Sequence, residues 1–267
     1  MHVSSSNIAL NVKRYKNSSY ISCISFFTFG SKMVGTLFLI PTTLGSDEWQ
    51  EVIPQYVAHI ARDIRHFVVE DVRTARRYLS RLQMPVPISE LHFELLNEHS
   101  TSSDVHSLLK PLLDGEPIGL ISEAGVPAVA DPGASLVALA HKKGIKVVPL
   151  TGPSSIIMAL MASGFNGQNF AFVGYLPINP KDRAKRIAEL EQRSRAENQS
   201  QLFIEAPYRN NQLLSALLAT LKPETLLHVS CDLTLPSEIT LTQSVKEWKK
   251  KMPDLHKRPS IFGIHSY

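Results

Sequence analysis

The sequence predicts an α/β protein of two domains: an N-terminal, mainly parallel sheet with helices on both faces, and a smaller C-terminal mixed α/β domain. Three observations lead there. Short apolar runs without helical spacing recur before residue 150, stretches with apolar residues at helix-like spacing separate them, and beyond that point the rhythm changes.

The first run is Gly35-Thr-Leu-Phe-Leu-Ile40, stopped by Pro41-Thr-Thr-Leu-Gly45, which reads as a buried strand entering a loop. His66-Phe-Val-Val69 leads into Glu70-Asp71, Ile118-Gly-Leu-Ile121 into Ser122-Glu-Ala-Gly-Val-Pro127, and Ile145 to Leu150 into Thr151-Gly-Pro-Ser-Ser155. Helical spacing covers Trp49 to Arg65, Thr74 to Leu82, Val105 to Leu113 and Ala134 to Lys143, the last closed by Gly144. Strands alternating with helices imply crossovers and a parallel sheet, whose ligands sit at the carboxyl ends of the strands. Beyond Ser154 the expected order is an apolar helix over Ile156 to Ser163, a strand at Phe170 to Val173, a charged helix over Lys181 to Glu197, a strand at Gln201 to Ile204 and a helix over Asn211 to Leu221. Strands at Leu226 to Ser230 and Ile261 to Ile264 complete a second sheet, with Trp248 on a helix between them. The expected division is therefore 33–150 and 151–267, preceded by an extension over 1–32.

Composition narrows the function classes. With 43% hydrophobic and 19% charged residues the chain is ordinary globular material, and its net charge of +4 suits a polyanionic partner or a plain solvated surface equally. Cys23 and Cys231 are too few for a disulfide framework or a thiol zinc cluster, which fits a reducing, cytoplasmic setting. No apolar stretch is long enough to cross a bilayer as a helix. Lys13, Arg14 and Lys16 ahead of the run Tyr20 to Phe29 imitate a signal peptide, but Ser22, Cys23 and Ser25 break the run and no A-x-A-like end follows; an early start codon, with Met33 the natural start, is the expectation.

None of the strand-ending loops is a G-x-G-x-x-G or a G-x-x-x-x-G-K-[ST], so the usual dinucleotide and triphosphate cradles are absent. Glycine permits close backbone approach, proline fixes a loop, and Ser or Thr offers hydroxyls to a carboxylate or a ribose. One such loop is merely a turn; several at one sheet edge suggest a site. Glu70, Asp71 and Glu123 are carboxylates just beyond buried strands, placed for acid/base work, although capping the next helix or pairing with Arg73 is the commoner fate of such groups. Arg73, Arg76 and Arg77 share a helical face able to meet phosphates, or simply a solvated one. Lys181, Arg183, Lys185 and Arg186 form a second basic group, diluted by Glu189 and Glu191. None of the ten histidines has a metal-like spacing, so no metal is expected.

Gly35-Thr-Leu…Gly45, Glu70-Asp-Val-Arg-Thr-Ala-Arg-Arg77, Asn97-Glu98, Ser122-Glu-Ala-Gly-Val-Pro…Asp131-Pro-Gly133 and Pro149-Leu-Thr-Gly-Pro-Ser154 fall in one order, followed by Gly174-Tyr-Leu-Pro177, Glu205-Ala-Pro-Tyr-Arg209 and Asp232-Leu-Thr234. This ordered set resembles the tetrapyrrole methylase superfamily, specifically its ribosomal RNA small subunit methyltransferase I branch, over roughly residues 34–264. The resemblance implies a homodimer of two-domain subunits with S-adenosylmethionine between the domains, and S-adenosylhomocysteine as product. It implies cofactor contacts at Thr43, at Ala124, Gly125, Val126 and Val129, at Ser154 and Ser155, and at Glu205. Arg73, Arg76, Arg77, Asn97 and Glu98 are the expected substrate contacts, and Glu70 is the candidate base. The branch usually has proline where Thr43 stands, asparagine at Ser46, aspartate at Glu123, threonine at Val126, histidine at Leu96 and Tyr208, and a Lys-Leu-His-Glu run at Leu235-Pro-Ser-Glu238. These departures fall more on the substrate frame than on the cofactor frame, as in a divergent paralogue.

The first functional expectation is 2′-O-methylation of a ribose in small-subunit ribosomal RNA, with the RNA or the small subunit as partner. Carbon methylation of a tetrapyrrole is the second, although Ala124-Gly-Val-Pro127 stands where those enzymes typically read Gly-Gly-Asp-Pro. A non-catalytic RNA- or ribosome-binding protein that kept the fold is the third.

Overall fold

The computed structural model describes residues 27–29, 32–97 and 99–267. Most of the expected extension lies outside them; within it, β1 (Phe27–Phe29) pairs antiparallel with β2 (Lys32–Val34) ahead of the first sheet.

That first sheet holds β3 (Thr36–Ile40), β4 (His66–Val69), β5 (His92–Leu95), β6 (Ile118–Ile121) and β7 (Lys146–Pro149) in the order β5-β4-β6-β3-β7, every neighbouring pair parallel. Its faces explain the apolar runs. Ile40, Phe38, Phe67, Val69 and Ile121 pack under α1 (Gln55–Asp63) and α2 (Val72–Arg81), while Leu37, Val68, Ile118 and Leu120 pack under α3 (Ser102–Ser107), α4 (Lys110–Leu113) and α5 (Gly133–Lys142). A strand covered on both sides has no polar face to alternate with.

Proline divides two of the expected helices. The stretch from Trp49 becomes a 3₁₀ turn over Trp49–Glu51 and then α1, because Pro54 pushes the residue before it out of helical geometry. The stretch from Val105 becomes α3 and α4, with Pro111 at the start of α4, where its missing N–H is tolerated. β5 carries no apolar run because it is an edge strand, with His92, Glu94 and Leu95 exposed.

The second sheet has the order β11-β10-β12-β9-β8: β8 (Phe170–Tyr175) runs parallel to β9 (Ser200–Ile204), while β12 (Ser260–His265), β10 (Leu226–Cys231) and β11 (Ile239–Ser244) are antiparallel to their neighbours. Leu227, Val229, Phe203 and Phe262 face the apolar core beneath α7 (Pro180–Glu197) and α8 (Asn210–Thr220), joined by Trp248 of α9 (Val245–Trp248). Phe203 and Phe262 stack with ring centroids 6.2 Å apart. The opposite face lies under α6 (Ser155–Ser163). On β10, His228 and Ser230 alternate with the core residues and point to that side. Thr242 donates its hydroxyl proton to the Ser163 carbonyl at 2.8 Å, so it accepts from His228 Nδ1 at 2.8 Å, leaving Nε2 to accept the Ser230 hydroxyl at 2.7 Å. Burial pushes the His228 imidazole down to about 4.

Between the sheets runs the short segment from Thr151 to Ser154. Tyr56 of α1 grips its first residue twice, donating its hydroxyl to Thr151 Oγ1 at 2.8 Å and accepting the Thr151 N–H at 3.0 Å. No helix among the described residues is long and apolar enough to cross a membrane.

Candidate active site

β3 and β6 are neighbours, yet the chain leaves β3 for α1 on one face and leaves β6 for α5 on the other. Where two such paths diverge, a crevice opens at the carboxyl edge of the sheet. Here the diverging loops are fastened together: the Thr42 N–H donates to the Gly125 carbonyl at 2.8 Å and the Gly125 N–H to the Thr43 carbonyl at 3.4 Å. Gly125 has φ +73°, and a Cβ there would come within 3.1 Å of the Pro153 carbonyl, so the junction requires glycine.

Two cavities meet at this crevice. The larger, about 340 Å³, lies between the domains, with Glu70, Ala124, Val129 and Asp131 on one side and Ser155, Tyr175, Glu205 and Ser230 on the other. The smaller, about 200 Å³, belongs to the first domain alone, between Thr42 to Asp47, the α2 face and Ser122 to Ala124. Leu44, Ser122, Glu123 and Ala124 wall both.

Five of the expected site residues, Glu70, Ala124, Val129, Ser155 and Glu205, come together in the larger cavity. Thr43 and Arg77 line the smaller one. Gly125, Val126 and Ser154 line neither; Ser154 instead caps α6 by accepting from the Ile157 N–H. Arg73, Arg76 and Arg77 are all exposed on α2, with Arg76 over the Phe93 ring at 5.2 Å. Asn97 is spent locally: its Oδ1 accepts the His99 N–H at 3.0 Å and its backbone N–H donates to Ser100 Oγ. Glu98 lies outside the described residues. The second basic group is dispersed on α7, where Arg183 is buried and Arg186 pairs with Glu189 at 3.3 Å.

The three strand-end carboxylates part company. Asp71 is the N-cap of α2, accepting the Thr74 N–H at 2.7 Å, which holds its carboxyl below the usual range. Glu70 accepts the Glu123 N–H at 3.3 Å, but its carboxyl is pushed up, first by burial and then by the charges of Asp131, Glu123 and Asp71. Burial likewise raises Asp131, whose Oδ1 accepts the Gly133 N–H at 2.6 Å while Oδ2 makes no hydrogen bond. Ser122 Oγ, Thr42 Oγ1 and Glu205 Oε2 are also buried without a partner, an expensive state unless a ligand completes it. Glu205 Oε1 is fully used, taking the Ala206 N–H at 2.8 Å and Arg209 at 2.9 Å and 2.5 Å.

Asp131, Tyr175 and the Pro259 to Ile261 wall were not among the expected contacts. Tyr175 had a readable signal in the preceding glycine: Gly174 takes φ +70°, and the β8–β9 register slips between Phe172 and Tyr175, a bulge that turns the tyrosine toward the cavity.

Known proteins match this frame. The ribosomal RNA small subunit methyltransferase I of Vibrio cholerae is 30% identical over 234 residues, 86% of this chain and 77% of that protein. The chain belongs to the ribosomal RNA small subunit methyltransferase I family. Members from Pasteurella multocida and Bacillus subtilis are 29% and 31% identical over 88% and 70% of the chain. The chain spans 80% and 60% of their lengths. The fold is that of the solved methyltransferase CobJ, with a TM-score of 0.59 at 15% identity over 87% of this chain and 94% of CobJ. No family model matches. Membership makes the chain a methyltransferase, as the ordered loops led one to expect.

Proposed function

We propose that the chain transfers a methyl group from S-adenosylmethionine to the 2′-hydroxyl of a ribose in small-subunit ribosomal RNA, acting as a homodimer. The observation that carries this reading is the interdomain cavity of about 340 Å³, walled by strand-end loops of the first sheet and by Glu205 of the second, with Arg77 of α2 in the smaller cavity that shares its wall. The relatives, ribosomal RNA small subunit methyltransferases, supply the RNA.

The residues fit the methyl donor. The volume falls in the range of small-molecule sites, about 300–1,000 Å³. Its walls alternate apolar surface, Leu44, Val129 and Ile261, with polar atoms short of a partner, Ser122 Oγ and Glu205 Oε2. Apolar surface suits an adenine ring, and Glu205 Oε2 is an acceptor for an amine or a ribose hydroxyl. When bound, S-adenosylmethionine supplies an electrophilic methyl group.

Attack by a ribose hydroxyl must release a proton, and Glu70 is the residue to take it. Its raised carboxyl is a stronger base than an exposed glutamate and is ionised once the pH exceeds that raised value, so the rate should rise with pH through it and then level off. Glu70→Gln should lower kcat by roughly 10²–10⁴-fold, far more than it changes the affinity for S-adenosylhomocysteine.

The homodimer reading is supported by the apolar side chains left exposed on α6, Ile157 at 45% and Met161 at 77%. Met161→Glu should yield monomers in sedimentation.

The deciding experiment supplies purified protein with radioactive methyl donor and undermodified small ribosomal subunits. The expected label sits in alkali-resistant dinucleotides of the ribosomal RNA, because a 2′-O-methyl group blocks cleavage of the adjoining phosphodiester. Label in alkali-labile mononucleotides would place the methyl on a base and overturn the ribose assignment; an unlabelled RNA would overturn the substrate.

A further inference from the structure

We propose that the smaller cavity is the acceptor subsite: it receives a single nucleotide lifted out of its stack, with the ribose against the Ser122 to Ala124 wall and the 5′-phosphate on Arg77. The proposal rests on the RNA reading above and gives it a place in the molecule.

Adjacency comes first. The two cavities share Leu44, Ser122, Glu123 and Ala124, so a group held in one lies next to a group held in the other, as transfer between reacting atoms about 3–3.5 Å apart requires. Size then limits what enters. A void of about 150 Å³ holds a benzene-sized ring, so 200 Å³ accommodates the ribose of one nucleotide, its base and phosphate lying toward the open rim, and excludes a stacked pair. A nucleotide inside a helix therefore cannot reach the shared wall without being extruded.

The lining matches a nucleotide in kind. Thr42, Thr43, Ser46, Thr74 and Ser122 bring five hydroxyls to one small cavity. Those of Thr42 and Ser122, in residues 3% and 6% exposed, have no hydrogen-bond partner, so a ligand hydroxyl reaching the floor of the cavity would satisfy groups the chain leaves unpaired.

The arginines of α2 divide their duties. Arg81 forms an ion pair with Asp47, and Arg76 is stacked on Phe93. Arg77 lines the cavity and has no ion pair among the described residues. A guanidinium so placed suits a phosphate held bidentately, and Arg73, outside the cavity, is left for the backbone further along.

The test uses the full chain saturated with S-adenosylhomocysteine. Calorimetry measures binding of the four nucleoside 5′-monophosphates and of the nucleosides without phosphate, and methyl transfer to small ribosomal subunits is followed in parallel. At least one monophosphate should bind. Arg77→Ala should weaken it by roughly 10- to 100-fold, raise KM for the subunits comparably and leave nucleoside binding unchanged, with partial rescue by Arg77→Lys. Thr74→Phe, which fills the cavity from its exposed rim, should abolish both nucleotide binding and transfer while the affinity for S-adenosylhomocysteine holds. Normal transfer by both variants, or monophosphate binding indifferent to Arg77, overturns the subsite and leaves the methylation reading intact. Subunits that wild-type protein leaves unmethylated, alongside Arg77-dependent nucleotide binding, would refute the ribosomal reading and support the subsite.

Discussion

The two five-stranded sheets handle polar groups in opposite ways. In the parallel sheet the strand interiors are apolar on both faces, and the polar chemistry is pushed into the loops beyond β3, β4 and β6. In the second sheet only one face is apolar; the other carries buried His228 and Ser230 and half-buried Thr242 mid-strand, bonded to one another across β10 and β11. Antiparallel register makes this possible, since His228 lies directly opposite Thr242. A parallel sheet can thus build a site only at its end, whereas the second sheet can bring a fixed hydroxyl, Ser230, to the cavity from within a strand.

The largest expected effect tests whether the second core stands by itself. Phe203→Ala removes half of the stacked pair with Phe262 and should destabilise by roughly 3–5 kcal/mol. The chain has two tryptophans, Trp49 packed in the first core and Trp248 in the second. In a Trp49→Phe background, urea unfolding followed by Trp248 fluorescence reports that loss directly.

Next comes the polar interior of the second sheet. His228 has a folded value of about 4 against 6.5 when unfolded, so on acidification the unfolded chain binds the proton first. The stabilisation is complete above about 6.5, declines as the pH falls from there toward 4, and amounts to roughly 3 kcal/mol over that window. Denaturation midpoints across that range should show the slope, and His228→Gln should flatten it.

Gly174→Ala is the third, costing roughly 1–2 kcal/mol for an alanine at φ +70°; thermal melts give the value, and nothing crowds the new methyl. The smallest lies at the loop edge of the first sheet. Asp71→Ala should lose roughly 1 kcal/mol of helix capping at neutral pH. Because the Asp71 carboxyl sits below its ordinary value, the wild-type advantage should vanish as the pH falls through that lowered value.

How much was legible follows the same division. β3, β4 and β6 were readable because interior strands covered on both faces are continuous apolar runs, and the edge strand β7, only partly buried, was readable from its Val147-Val148 pair and the Thr-Gly-Pro stop beyond it. β5 and β11 were not: both are edge strands, and His92-Phe-Glu-Leu95 and Ile239-Thr-Leu-Thr-Gln-Ser244 mix exposed and half-buried positions in ways a loop also allows. At the site, the loops announced themselves through Gly, Pro and hydroxyls, and five of the expected contacts share one cavity. What no local pattern could reveal was the partition into two cavities, which depends on how α2 leans on the loop after β3. Glu70 and Asp71 illustrate the limit: adjacent and chemically alike, one is raised by burial and the other lowered by capping, a difference set by the following helix and by Asp131, 61 residues on from Glu70.

The grip of Tyr56 on Thr151 carries a mechanical consequence. Both bonds fasten Thr151 to the first sheet, so a rotation of the second sheet would be taken up along the connection by Gly152-Pro153-Ser154, where Gly152 packs on Pro41. Rocking at that hinge would widen or narrow the cavity shared by both sheets, and it would reach the smaller one as well, because Leu235 beyond β10 packs against Gly45 in its wall. The two halves of the crevice are therefore linked: a change of domain angle that resizes one also presses or releases the loop that walls the other.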